Sequence, residues 1–441
     1  MRDLIFALML LVALPLGMAR PFNAYLLWGW TAMLAPTTYF YGFMVGARVN
    51  LVCALLTLLL LALGRVPWRN YQNNAVTWLY VLFAIHATLA YWFAYGDNPN
   101  NDQYYELLLK GLLFAVVMPF FVRERVHFHA MLIVIALGLG VHGVLNGLKT
   151  VVSAGGHLML GPQGTMLNDR NHLSVALALV LPLLFYLHSY TVNRLIRLGY
   201  LGAFCVLVLA ILGGGSRGGF IAVSVVGAWW ILTTRRKGLA VVLVMAAVMG
   251  FLAFAPENIT NRMSTIEDMN DDQSFMGRVF AWRVSSAIAL ANPVFGGGFH
   301  AVQVQWIWDS FKADPGLLGF LQLPVPTFSA KAAHSIYFEV MGDLGFVGLG
   351  LFLLILLRAL WSRQAIKRVT TRLGAPYQWA GDMADMLMLA VLAFMVGGAA
   401  VSLGYYEVIY MVVMLMELLR LHVGRARADT VGQALPRKGA M

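Results

Sequence analysis

The sequence predicts an all-α polytopic membrane protein, and three observations make that prediction. Hydrophobic residues are 60% of the chain and charged residues 12%, with a mean hydropathy of +0.74, far from the balance of soluble domains. The apolar residues fall into runs near the length of about 20 that a helix needs to cross a hydrocarbon core. The basic residues collect in short breaks between alternate runs, as the positive-inside rule describes for a multi-pass chain. Lipid offers backbone amides no water, so each run is read as a helix that closes its own hydrogen bonds.

In chain order the runs lie near 4–18, 22–36, 49–64, 75–95, 105–122, 128–148, 172–190, 198–214, 217–234, 238–255, 336–361, 384–404 and 405–422. The first follows Arg2 and imitates a signal peptide. It passes through Pro15 into Ala19-Arg20-Pro21 without a small-residue cleavage site, so it is expected to be retained. Read as one broken span, 4–18 and 22–36 give about twelve transmembrane helices; read as two, they place the N-terminus outside. Cys53 and Cys205 both fall inside apolar runs, which excludes a disulfide framework.

The net charge of +11 is not a nucleic-acid signature, because no basic patch lies on a soluble face. The cations sit instead at Arg65 and Arg69, Arg123 and Arg125, Arg194 and Arg197, Arg235 to Lys237, Arg363 to Arg372, and Arg420 to Lys438. These breaks are assigned to the cytoplasm. The 149–171 loop, the Gly213-to-Gly219 turn and a polar island over 256–334 then face the opposite side. The expected organisation is a single membrane domain over 1–441, with 256–334 as an outer loop containing short helices and 424–441 as a disordered cytoplasmic tail.

Within the island, Ser274 to Asn292 reads as a short helix, preceded by Asp271 and Asp272 and stopped by Asn292-Pro293. Gly296-Gly297-Gly298 reads as a flexible turn. Trp306 and Trp308 read as interfacial residues.

Candidate chemistry concentrates on the outer face. The 149–171 loop ends in Asn168-Asp169-Arg170-Asn171-His172, the next outer turn is Gly213-Gly214-Gly215-Ser216-Arg217-Gly218-Gly219, and the island supplies Arg262, Arg278, Arg283, Lys331 and His334. Topology gives no reason to keep arginines there, whereas their planar forks bind phosphate or carboxylate bidentately. Arg217 stands out, because its glycines let amides approach an anion at a helix end; the plain alternative is a tight turn with a snorkelling arginine. Arg278 and Arg283 are about 140° apart around a helix, so they do not share a narrow face. Arg170 has Asp169 and Asp102 as alternative partners, and Lys331 is a flexible point charge. His334 sits where the island meets the next run and titrates near neutral pH, which suits a general base, although single histidines more often serve structure. Glu339 and Asp343 follow inside a run, where ionisable groups mark function, and Gly342-Asp343-Leu344-Gly345 reads as a helix break. No zinc-type spacing, Asp-x-Asp pair or Walker loop is present, so no metal, nucleotide or other cofactor is expected.

Gly277-Arg278, Trp282, Asn292-Pro293, Gly296-Gly297-Gly298 and Ala333-His334-Ser335, preceded by Ser216-Arg217-Gly218, stand in an order that resembles the O-antigen ligase and polymerase superfamily. Met1-Arg2-Asp3-Leu4, Arg20-Pro21-Phe22 and Leu26-Leu27-Trp28 are similar to the ligases associated with exosortase systems. The resemblance implies a GT-C-like architecture in the bacterial inner membrane, with the active site facing the periplasm. It implies transfer of a glycan from undecaprenyl pyrophosphate to a sugar hydroxyl of lipid A–core, independent of metal and with inversion. His334 would be the base, Arg217 would act on the pyrophosphate and Arg278 would bind it; Arg283, Arg170 and Lys331 are further candidates for donor binding. Polymerases and protein O-oligosaccharyltransferases share the donor and remain alternatives. A lipid flippase or transporter is the alternative of another class, disfavoured by the scarcity of mid-membrane charge beyond Lys110.

Overall fold

The computed structural model describes residues 2–96, 98–153, 156–233, 238 and 273–434. The expected run 238–255, the cations 235–237, the first part of the island with Arg262, and residues 435–441 lie outside these. Every regular element among the described residues is helical. In order they are α1 (Arg2–Ala19), α2 (Pro21–Leu34), α3 (Val49–Ala62), α4 (Ala75–Trp92), α5 (Asn101–Val117), α6 (Arg125–Val152) and α7 (Arg170–Tyr190). There follow α8 (Arg194–Gly213), α9 (Arg217–Thr233), α10 (Gln273–Ala291), α11 (Gln305–Phe311), α12 (Ile336–Leu373), α13 (Gln378–Gly398) and α14 (Glu407–Ala434). Seven helices among the described residues are long and apolar enough to cross a membrane, and α3 and α9 are shorter apolar helices.

Polar residues at the run boundaries set where helices begin. Asn74 accepts the amide of Thr77 to cap α4, Asp169 accepts those of Asn171 and His172 to cap α7, and Asn193 caps α8 in the same way. Burial then sorts the helices into two layers. α14 is interior, with Val408 through Leu419 all 1% exposed or less, and α7 is buried from Leu173 through Leu187 apart from Phe185. α1 and α8 instead expose leucines along their length, the all-round apolar surface expected of helices facing lipid.

The start of the chain departs from the single broken span. α1 and α2 fold back on each other: Phe6 stacks on Trp30 at 6.0 Å, and Asp3 accepts the amides of Tyr41, Gly42 and Met44. Two helices therefore stand there, and the count of twelve loses that basis. α14 also continues to Ala434, so the tail expected from 424 begins as helix.

Contacts define two ends of the bundle. At one end Gln72 bonds to Pro119 and Val122, Arg425 to Gln72, His422 to the Arg123 carbonyl, and Tyr190 to Asp382. The predicted basic breaks within the described residues meet there. At the other end Asn98 and Asn101 hold the backbone of Phe299, and the island packs on α12 through Trp282 stacked on Phe338 at 5.1 Å.

The island has its own small core, in which Phe280, Val284, Ile288, Ile307 and Trp308 are buried. Trp308 is fully buried, which corrects its interfacial reading, whereas Trp306 is 44% exposed. The Gly296–Gly298 turn is clamped rather than flexible: the amides of Gly297 and Gly298 donate to the carbonyls of Gly342 and Asp343 at 2.9 and 3.0 Å. The matching break in α12 is at Gly345, whose φ of 68° lies in the left-handed region and whose open side faces the carbonyls of Pro293 and Val294. The predicted break is present, and its carbonyls are used by the island.

Candidate functional site

The connection between α13 and α14 is where the candidate residues meet. The backbone amide of His334 donates to the Ser402 hydroxyl at 2.9 Å. Arg278 Nη1 donates to the Ala400 carbonyl at 3.4 Å. A Cβ on Gly218 would lie 3.0 Å from the Gly397 carbonyl and 3.4 Å from Ala400 Cβ, so the first turn of α9, which carries Arg217, rests on the same connection. A Cβ on Gly219 would lie 2.4 Å from Ser174 Cβ, which brings the N-terminal part of α7 alongside. Three polar turns distant in sequence thus converge beside one short segment.

His334 has a φ of 44°, the left-handed region that non-glycine residues avoid. Bonds on both sides hold it: Trp282 Nε1 donates to the preceding Ala333 carbonyl at 2.6 Å, and Ser402 receives the His334 amide. The backbone strain is local, and the imidazole lies within electrostatic reach of Arg278 on α10 and of Asp169 and His172 at the start of α7. Its Nδ1 is buried without a hydrogen-bond partner. Burial, together with the charges of Arg278 and His172 and against that of Asp169, lowers its pKa to about 4. At neutral pH the ring is uncharged and able to accept a proton.

Arg217 is the first residue of α9 and is exposed, while Ser216 behind it is buried and takes the Gly219 amide on its hydroxyl. Gly218 and Gly219 serve close packing of α9 against α13 and α7, not the approach of amides to a ligand, which corrects part of the reading of that turn. Arg170 is half-buried in the first turn of α7. Asp169 is half-buried; burial raises its carboxyl, but the His172 imidazole at 3.4 Å and the amides of Asn171 and His172 outweigh this and hold it below the usual carboxylate range. Lys331 is exposed, 6.0 Å from the centre of the Phe328 ring.

Arg283 is not part of this gathering. It is 3% exposed, and its guanidinium donates to the carbonyls of Leu323 and Pro324 at 3.0 and 3.1 Å and to that of Lys312. It ties the island's returning strand of chain to α10, so its assignment to donor binding is corrected to a structural one.

Sequence reasoning passed over a buried polar cluster next to the convergence. His300 Nε2 lies 2.9 Å from Glu339 Oε1, a close contact whose angles do not make a hydrogen bond. Glu339 Oε2 accepts the Gly404 amide at 2.8 Å, and the Tyr405 hydroxyl donates to Asp343 at 2.8 Å. His300 stacks on Tyr104 with ring centres 3.5 Å apart, and burial pushes its protonation down to about 4, opposed by Asp343. In the sequence Glu339 and Asp343 stand out as charges inside an apolar run, whereas His300 carries no signal beyond following the glycine turn. His172, which acts electrostatically on both His334 and His300, was legible only as the end of the Asn168–His172 stretch.

Comparison with known families bears on this geometry. Residues 1–192 match a family of unknown function (DUF5935), and residues 202–353 match the family described as O-antigen ligase. No curated protein matches the chain. Arg217, Arg278 and His334 lie inside the second match and Arg170 inside the first, so the convergence joins the two regions. This is a helical membrane protein in which residues 202–353 are similar to the O-antigen ligase family.

Proposed function

We propose that the protein transfers a glycan from undecaprenyl pyrophosphate to a sugar hydroxyl of lipid A–core at the periplasmic face of the bacterial inner membrane. The observation that carries this reading is the meeting of His334, Arg278 and the Arg217 turn on the α13–α14 connection. A neutral imidazole under the charge of Arg278, with the turn that carries Arg217 packed on the same connection, supplies the parts needed for displacement of a pyrophosphate. The acceptor oxygen bonds to the anomeric carbon while its proton passes to His334, whose Nε2 remains for the incoming hydroxyl because Nδ1 is buried. The bond from that carbon to the phosphate oxygen breaks, and the electron pair leaves with the lipid pyrophosphate. Arg217 and Arg278 stabilise this developing charge, the electrostatic term that dominates many such steps. Direct displacement inverts the anomeric centre. The pyrophosphate's negative charge also offsets Arg278 and so makes His334 more basic in the complex.

Arg170, in the first turn of α7, and Lys331, exposed beside Phe328, are proposed to contact the glycan or the outer phosphate. Glycosyl transfer to a protein or to a growing glycan uses the same donor, and the acceptor decides among them. Reconstitution with lipid-linked glycan and purified lipid A–core tests the reading, comparing wild type with His334→Ala and Arg217→Ala. Transfer in wild type that survives chelation and is lost in both variants is the expected result. Undiminished transfer by His334→Ala overturns the base. Movement of the donor between leaflets without any transfer overturns the reaction in favour of a flippase.

A further inference from the structure

At the end of the bundle away from His334, a cavity of ≈ 580 Å³ opens between the α1–α2 turn, the α3–α4 and α5–α6 connections and the outgoing part of α14. Arg65, Arg123 and Arg425 line it together with His127, over Phe22 and Phe120. Glu124 is the lone carboxylate in that lining, and it is engaged in capping α6 with His127. Among the described residues none of the three arginines forms an ion pair. Guanidinium groups sharing one cavity repel each other, so an anion between them turns a destabilising arrangement into a favourable one.

The site is built rather than incidental. Arg425 Nη2 donates to Gln72 Oε1 at 2.6 Å, and Gln72, 8% exposed, is itself fixed by donating to the carbonyls of Pro119 and Val122. His127 Nδ1 accepts the amides of Arg123 and Glu124, which leaves Nε2 as the ring's donor. The depth of the cavity is marked by Trp68, 69% exposed and packed edge-on against Phe120 at 5.4 Å. An exposed indole at the end of a membrane bundle sits at headgroup level. Phosphate at that level, with apolar chain beside it, is what a phospholipid presents.

We infer that this cavity binds the phosphate of an anionic phospholipid headgroup through Arg65, Arg123 and Arg425, with Phe22 and Phe120 against the glycerol and first methylenes. The inference stands apart from the proposed glycosyl transfer. Its test titrates the full-length protein in detergent with phosphatidylglycerol, phosphatidylcholine or inorganic phosphate and counts retained lipid by native mass spectrometry. Phosphatidylglycerol is retained and phosphatidylcholine is not. Arg65→Gln and Arg425→Gln each weaken retention by about fivefold, whereas Arg197→Gln, at the same end but outside the cavity, leaves it unchanged. Equal retention of the two lipids, or an equal loss in the Arg197 variant, overturns the site. Displacement of lipid by inorganic phosphate at matching concentration assigns the cavity to a free anion and overturns the lipid reading.

Discussion

His334 and Ser402 are joined by a 2.9 Å bond from the histidine's backbone amide to the serine hydroxyl, although 68 positions separate them. The bond fixes the left-handed backbone of His334 and aligns the end of the island with the α13–α14 connection. Ser402 is 5% exposed, so its hydroxyl has little water to turn to. Ser402→Ala removes one hydrogen bond of about 1 kcal/mol, and kcat/KM for glycan transfer should fall by about fivefold. Ser402→Thr should restore most of the rate. An alanine variant with unaltered kcat/KM would show that His334 is positioned by other means.

Substitution of the proposed base acts on the chemistry rather than the fold. His334→Gln should lower kcat by about 10²- to 10⁴-fold while donor binding, measured by equilibrium retention of the lipid-linked glycan, stays near wild type. A variant that loses donor binding and rate together would move His334 from proton acceptor to structural element.

The pH dependence follows from the environment of the ring. Burial and the charge of Arg278 hold His334 protonation down to about 4. The imidazole therefore stays neutral above that value, and kcat/KM, which reports the free enzyme, should be flat from about pH 6 to 8 and fall toward pH 4. For stability the sign is opposite to that of a stabilising histidine. The unfolded ring takes up its proton near 6.5, so this group lowers stability as pH falls from there to about 4. Arg278→Gln should move the acid limb of kcat/KM upward. A wild-type limb centred near 6.5 would mean that the ring is solvated.

Arg283 and Arg217 should separate cleanly. Arg283→Met removes the donor of three partly buried carbonyls and leaves a cavity at a buried side chain, and should cost about 2 kcal/mol of stability, read as a lower Tm of the island-containing protein. Arg217→Gln, at an exposed helix start, should leave Tm within a degree or two while transfer is lost. Equal Tm values for both variants would contradict the clamp assigned to Arg283.

Gly345→Ala places a side chain at a φ of 68° and within 2.6 Å of the Pro293 carbonyl. Strain and overlap together should lower stability by about 2 kcal/mol or more and loosen the junction of island and α12. Faster proteolysis of the island in the variant is the readout; wild-type resistance would show that the α12 break tolerates a Cβ.

Much of the fold was legible because the relevant signals are local. An apolar run is helical in lipid whatever its neighbours are, and Asn74, Asp169 and Asn193 cap helices through amides two or three positions on. The break at Gly342–Gly345 could be read in the same way. The hairpin of α1 and α2 could not, since a turn at Arg20–Pro21 and a kink there look alike until Phe6 is seen against Trp30.

By itself, then, the sequence determined the helical membrane class, most helix boundaries and the face on which polar residues accumulate. Tertiary structure decided which of those residues act together. Arg278 and Arg283 lie on one helix and both are candidates for the donor as sequence, but one reaches Ala400 and the other is consumed by carbonyls 29 to 41 positions away. His300, Glu339 and Tyr405 became a cluster for the same reason. Whether a charged or titratable group is available to a substrate depends on which distant carbonyls and carboxylates fold against it, and packing alone fixes those partners.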